Sequence, residues 1–103
     1  MPRPRPVDFR VLREMIGPRD VLRLIAWRPV WERGELARGP CPIHRSSSTQ
    51  SRSLTVSIEV VYCHKCHWSG DAVAIWAKLK GLPMLDAAHD LCRELRITPP
   101  FLT

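Results

Sequence analysis

The sequence lacks any apolar run that approaches the length of roughly 20 residues needed to cross a lipid bilayer. The basic residues at its N-terminus are followed by no apolar h-region, which argues against a secretory signal peptide. It also lacks internal repeats, and its one low-complexity stretch is the Ser-rich segment 45–53. We therefore expect no membrane partner and a cytoplasmic location, where cysteine thiols stay reduced.

Acidic residues are in the minority, with 10 Asp and Glu against 16 Lys and Arg. The resulting formal charge of +6 favours a polyanionic partner. A content of 45% hydrophobic and 25% charged residues argues against general disorder. A chain of 103 residues suits one small domain, in which a bound metal would add useful stability.

The two ends of the chain are rich in proline. Pro and Arg alternate after Met1, so we expect a disordered basic tail over residues 1–7. The pair Pro99-Pro100 closes the predicted domain. This divides the chain into the tail 1–7, one domain over 8–97 and a short tail over 98–103.

Four short helices are predicted from apolar residues that recur at helical spacing. Asp8 and Asp71 are suitable N-caps, Pro18 suits the first turn of a helix, and Gly81 suits a C-terminal stop. The helices are expected over residues 8–16, 18 to about 27, 71–80 and about 85–95.

Residues 54–62 instead alternate between apolar and other side chains, which predicts β structure. The sequence leaves open whether this is one strand or a hairpin that turns near 57–59, because no Gly, Asn or Asp marks a turn there.

Cysteine and histidine form two pairs with metal-ligand spacing. Cys41 and His44 are separated by two residues, as are Cys63 and Cys66, and residues 45–62 lie between the pairs. Two such knuckles can complete a tetrahedron around Zn²⁺, and four protein ligands leave no open position for water. The spacing therefore predicts one structural zinc ion.

Alternatives to this ligand set are present in the sequence. His64 and His67 lie on and beside the second knuckle, but either one replacing His44 would leave Cys41 alone on the first. Cys63 and Cys66 could instead form a thiol–disulfide pair, although such pairs normally sit at a helix N-terminus. Cys92 falls on an apolar helical stripe and is interpreted as a buried hydrophobe.

These motifs together resemble the N-terminal, CHC2-type zinc-binding domain of bacterial and phage DnaG-type DNA primases. The resemblance spans about residues 18–96. The matching segments are Cys41-Pro42-Ile43-His44, the Ser-rich loop with the β segment after it, Tyr62-Cys63-His64-Lys65-Cys66 and Gly70-Asp71-Ala72-Val73.

The resemblance implies an α+β zinc ribbon, in which a small antiparallel sheet carries the metal and about four short helices pack against it. It also implies that the four zinc ligands are Cys41, His44, Cys63 and Cys66. The family domain holds single-stranded template DNA and helps an attached RNA polymerase domain to begin a primer. No cluster of Glu and Asp for Mg²⁺ is visible, so we expect a non-enzymatic module that serves a separate or missing primase or polymerase domain.

Binding of single strands requires basic side chains for phosphates and flat side chains for bases. We predict one groove for both, with RNA as an alternative to DNA. Trp68 is the preferred stacking residue, because Tyr62 lies on the alternating apolar side and fits the core equally well. Trp27, Trp31 and Trp76 are interpreted as packing residues. The predicted groove residues are Arg33, Arg38, Arg45, Arg52, Tyr62, Lys65 and Trp68.

Three other functions compete with this prediction. A protein-interaction adaptor could dock a polymerase or helicase subunit of a replication or mobile-element complex through its helices, without touching DNA. A regulator of duplex DNA would need a recognition helix, and the predicted third helix is too apolar for that role. A thiol oxidoreductase would use Cys63 and Cys66, and would not bind zinc.

Overall fold

The computed structural model describes residues 4–44 and 50–102. Within these residues, two helices precede a sheet of five short strands, and two further helices follow it. The helices are α1 (Phe9–Met15), α2 (Pro18–Leu24), α3 (Ala72–Lys80) and α4 (Met84–Leu95). The strands are β1 (Trp31–Arg33), β2 (Leu36–Gly39), β3 (Leu54–Val56), β4 (Val61–Cys63) and β5 (Trp68–Gly70). The predicted α+β architecture is confirmed, and none of the described helices is long and apolar enough to traverse a bilayer.

The helix termini follow the predicted signals. Asp8 accepts hydrogen bonds from the first backbone N–H groups of α1, and Asp71 accepts one from Ala74 at the start of α3. Pro18 occupies the first position of α2, where its missing N–H costs nothing. Gly81 ends α3 in the left-handed conformation, at φ +66°.

Helix α2 ends at Leu24, three residues before the predicted end. Ala26 has a positive φ of +56°, and the Trp27 amide donates to the carbonyl of Leu22. The chain therefore turns early, and this places the Trp27 ring over the sheet, against Gly39.

The sheet is an antiparallel meander in the order β1-β2-β3-β4-β5. Residues 54–62 form a hairpin rather than one strand, the alternative that the sequence left open. Ser57 and Val60 close the turn between β3 and β4. The Ser57 amide and hydroxyl donate to the Val60 carbonyl at 2.9 and 2.8 Å. No residue of this turn has a positive φ, so it needs no Gly or Asn.

Strands β1, β2 and β5 were not predicted. They have three or four residues each, too few for an alternating pattern to stand out. In β2 the pattern is also misleading, because small Ala37 and Gly39 are buried whereas Leu36 is exposed. A Cβ atom on Gly39 would lie 2.5 Å from Cζ2 of Trp27, so this strand has room only for hydrogen beneath the ring.

The hydrophobic core lies between the helices and one face of the sheet. Helix α3 packs on both α2 and α4. The largest fully buried side chains come from every layer and include Leu12, Val21, Leu22, Leu54, Val56, Val61, Ile75 and Leu91. Trp76 is also buried and donates its indole N–H to Asp90 at 2.7 Å, as expected for a packing residue with a polar atom.

The segments predicted as tails instead pair with each other in their described parts. The amide of Asp8 donates to Pro100 at 2.7 Å, and the amide of Leu102 donates to Pro6 at 3.1 Å. Val7, which lies between them, is buried. The expected disorder is therefore wrong for residues 6 and 7, because buried apolar area and paired backbone groups offset the ordering entropy.

Candidate metal centre and adjoining sheet face

The metal-ligand residues lie at one end of the sheet. Cys41 follows the last residue of β2 by two positions, Cys63 is the last residue of β4, and Cys66 lies in the turn before β5. Gly39, Leu54, Cys63 and Trp68 are cross-strand partners in one row at this end. The pairing of the strands therefore brings the two knuckles, 18 residues apart in the chain, together.

One ligand atom from each of Cys41, His44, Cys63 and Cys66 comes within 4.8 Å of the other three. Nδ1 of His44 lies 3.6 Å from Sγ of Cys63. Tetrahedral Zn²⁺ with typical Zn–S and Zn–N bonds requires an N···S separation of about 3.6 Å. The three thiols and one imidazole thus fit a single zinc ion.

The pKa values of two thiols in the cluster shift in opposite directions. The hydrogen bond with Cys63, then burial and the charge of Cys41, raise the pKa of Cys66 to about 11. Burial acts to raise the pKa of Cys63, but the N–H donors of Cys66 and Lys65 outweigh it, and the pKa is lowered. Zn²⁺ binds cysteine as the thiolate, so binding of the ion would release the proton of Cys66.

The rival ligands lie elsewhere. Nε2 of His64 is 2.8 Å from the Thr55 hydroxyl, and Nδ1 of His67 is 3.3 Å from the Tyr62 hydroxyl. Cys92 is fully buried in α4, outside the cluster, and burial raises its pKa. Cys92 therefore lies in an apolar environment, in agreement with its interpretation as a buried hydrophobic residue.

The register defines an outer sheet face, which points away from the helices. Arg38, Thr55, Tyr62 and Ser69 are successive cross-strand partners and so project to the same side. The same pairing adds three residues of β1 and β2. The outer sheet face comprises Trp31, Arg33, Leu36, Arg38, Thr55, Tyr62 and Ser69.

Most of the predicted nucleic-acid residues lie on or beside this face. Arg33 and Tyr62 are exposed on it, and Arg38 donates from its guanidinium to the Arg52 carbonyl at 2.9 Å, which brings Arg52 to its border. Lys65 is exposed in the turn between the two cysteines of the second knuckle. Arg45 lies outside the described residues.

Trp68 does not share a groove with Tyr62. It pairs with Cys63 rather than with Tyr62, so its ring points to the helix side of the sheet. The ring packs against the core, with the Lys78 ammonium 5.5 Å from its centre. Of the two rings, only that of Tyr62, which is 37% exposed, therefore lies on the outer sheet face.

Four residues of the outer sheet face were missed as candidates, and one of them is the apolar Leu36. Thr55 and Ser69 carry no signal of their own, and Trp31 was interpreted as packing. Trp31 is half-buried and pairs with Arg38 across β1 and β2. Only the β1–β2 hairpin, which the sequence did not reveal, could have placed Trp31 beside the arginine.

The fold and the site together define a zinc-ribbon α+β domain with one candidate metal centre. Over 57 residues, 55% of its length, the chain is 39% identical to the DNA primase of Myxococcus xanthus and is homologous to it. The matched region is 9% of that primase. No family model matches the chain.

The fold is also that of a solved structure. The chain superposes on the zinc-binding domain in the crystal structure of the Aquifex aeolicus primase zinc-binding and RNA polymerase domains, with a TM-score of 0.64 and 24% identity. The match covers 85% of this chain and 21% of the Aquifex chain. The chain thus resembles only a small part of each primase, and in the Aquifex structure that part is the zinc-binding domain.

Proposed function

We propose that the protein is a primase-like module that holds single-stranded DNA template across the outer sheet face and presents it to a primase or polymerase domain. The observation that carries the proposal is the cross-strand row formed by half-buried Arg38 and Thr55 and exposed Tyr62, with exposed Arg33 on the same face. The homology to a DNA primase supports the same assignment.

The chemistry of this face suits a single strand. Arginine side chains attract the phosphates, and an exposed tyrosine offers a flat ring to an unpaired base. The Tyr62 ring is held in place, because its hydroxyl is 3.3 Å from Nδ1 of His67 and its centre is 4.7 Å from that of the His64 ring, edge to face. A ring that is already oriented loses little entropy when a base stacks on it.

The metal has a mechanical role in this proposal. Four protein ligands leave no open position for catalysis, so the ion would fix the ends of β2 and β4 and thereby the strand register. That register sets which side chains face outward. Ligation by free thiols also suits a reducing compartment such as the cytoplasm.

Fluorescence anisotropy with a labelled deoxyoligonucleotide tests the proposal. Tyr62→Leu removes the stacking ring and is expected to weaken binding about tenfold, since base–aromatic stacking contributes roughly 1–3 kcal/mol. Tyr62→Phe is the matched control, because it keeps the ring and loses only the hydroxyl. A ribo-oligonucleotide of the same sequence measures the preference for DNA.

Two results would count against the proposal. If Tyr62→Leu binds as tightly as the wild type, the outer sheet face is not the binding surface. If the zinc-loaded protein binds no oligonucleotide at moderate salt, the adaptor without DNA contact becomes the better description.

A further inference from the structure

The end of the sheet away from the metal exposes aliphatic side chains. Leu36, Ile58 and Val60 are 46%, 54% and 50% exposed. They line one open concavity of about 340 Å³, between the β1–β2 turn and the β3–β4 turn. Contiguous exposed aliphatic groups of this kind are a feature of protein contact sites.

This concavity continues on both sides. Ile58 also lines a second hollow against Gly17 and Gly34. Val60 also lines a hollow of about 480 Å³ against α1, where Ile16 forms part of the wall. The three hollows form one trough around the turn Ser57–Val60, which we call the distal trough.

Unpaired carboxylates border the distal trough. Glu14, Glu35 and Glu59 line its walls and form no ion pair within the described residues. The arginines there are mostly neutralised, since Arg13 is 3.7 Å from Asp71 and Arg19 is 2.9 Å from Glu32. Only Arg10 among the lining arginines has no acidic partner in the described chain. The charged residues that line the trough are thus four carboxylates and three arginines, a net negative lining on a protein of charge +6.

We propose that the distal trough is a docking site for a protein partner, which inserts the apolar side chains of a peptide segment flanked by Lys or Arg. The aliphatic floor would bury the apolar side chains, and Glu14, Glu35 and Glu59 would face the flanking cations. This surface lies at the opposite end of the sheet from the metal, and the proposal does not depend on DNA binding.

Other occupants fit the charges less well. The carboxylates repel nucleic-acid phosphates and anionic lipid headgroups. A second copy of this chain, related by a two-fold axis, would place glutamates against glutamates. The net charge of the protein repels basic peptides from most of its surface. A preference for basic peptides would therefore point to the carboxylates of the distal trough.

Selection of peptides from a random 12-residue display library on the zinc-loaded full chain tests the proposal. Ile58→Asp, which places a charge on the aliphatic floor, is kept out of the selection and is used only in the binding measurements. The enriched peptides should contain apolar residues flanked by Lys or Arg. A synthetic peptide of the enriched sequence should bind at least tenfold more weakly to Ile58→Asp and to Glu59→Lys.

Matched variants outside the trough serve as controls. Met84→Asp changes an exposed apolar residue on α4, and Glu94→Lys reverses an exposed carboxylate on the same helix. Both should bind the peptide as the wild type does. If Ile58→Asp fails to fold, as judged by zinc content and circular dichroism, Glu59→Lys alone decides the result.

Several outcomes would overturn the proposal. These are enrichment of acidic peptides, no enrichment at all, or equal binding by the trough variants and the wild type. Because Leu36 belongs to both surfaces, displacement of the peptide by a saturating oligonucleotide would place it on the outer sheet face only if Glu59→Lys also binds the peptide as the wild type does. A dimer in sedimentation analysis that Ile58→Asp dissociates would make a second copy the occupant.

Discussion

The indole N–H of Trp27 donates a hydrogen bond of 2.6 Å to the carbonyl of Pro40, the residue before the metal ligand Cys41. This bond connects the segment after α2 to the first knuckle. The same ring covers Gly39, at the end of β2. Trp27 therefore connects the helices to the metal centre. The geometry of the metal centre depends on such contacts as well as on its four ligands.

Replacement of Trp27 by Phe should destabilise the protein by about 1–2 kcal/mol, because the Pro40 carbonyl loses its donor in a partly buried position. Zinc affinity, measured by competition with a chelator, should fall as well, since the first knuckle is less restrained. The control is Trp68→Phe, because the Trp68 indole N–H makes no hydrogen bond in the described chain. Equal zinc affinities for the two variants would show that the Trp27 bond does not support the site.

Gly39→Ala should lower the free energy of unfolding by about 1–3 kcal/mol, as overpacking does in other cores. The added Cβ would lie 2.5 Å from Trp27, whose ring is held by its hydrogen bond. Urea titration measures the change. Gly34→Asn is the control, because Gly34 has a φ of +59°, which Asn tolerates, and has no atom within 4 Å of an added Cβ. If Gly39→Ala leaves the free energy of unfolding unchanged, the Trp27 ring can move away from the added methyl group without cost.

Cys63→Ser should unfold the sheet rather than alter its surface. Zinc binding contributes roughly 10–16 kcal/mol in peptide models, which is comparable to the roughly 5–15 kcal/mol net stability of a small domain. Circular dichroism and metal analysis should show loss of β structure and of the zinc, and a strong chelator should have the same effect on the wild type. Cys92→Ala, which removes a buried thiol outside the cluster, should keep one zinc per chain. A Cys63→Ser protein that melts like the wild type would contradict a structural role for the metal.

Oligonucleotide affinity should fall steeply with salt concentration. Three cations that contact phosphates, such as Arg33, Arg38 and Lys65, predict a slope of about −2 in a plot of log affinity against log salt. Arg33→Ala should reduce the magnitude of this slope by about 0.7. Arg93→Ala, on the solvent side of α4, should leave it unchanged, and equal slopes for both variants would remove Arg33 from the contact surface.

The sequence alone determined the metal centre and the ends of most helices. Ligand spacing, N-caps such as Asp71 and the stop at Gly81 act within a few neighbouring residues, so a linear pattern contains the whole signal. The sequence pattern did not predict the turn of the 54–62 hairpin. The Ser57 hydroxyl closes this turn by a hydrogen bond, so the usual turn residues Gly, Asn and Asp are absent.

The tertiary structure decided which side chains face the solvent together. The outer sheet face depends on the register of strands of three or four residues, which pair residues far apart in the chain. That register turned Tyr62 outward and Trp68 inward, although both flank the same knuckle. The pairing of residues 6–8 with 100–102 and the distal trough arise in the same way, because each is formed by segments that meet only after the chain has folded.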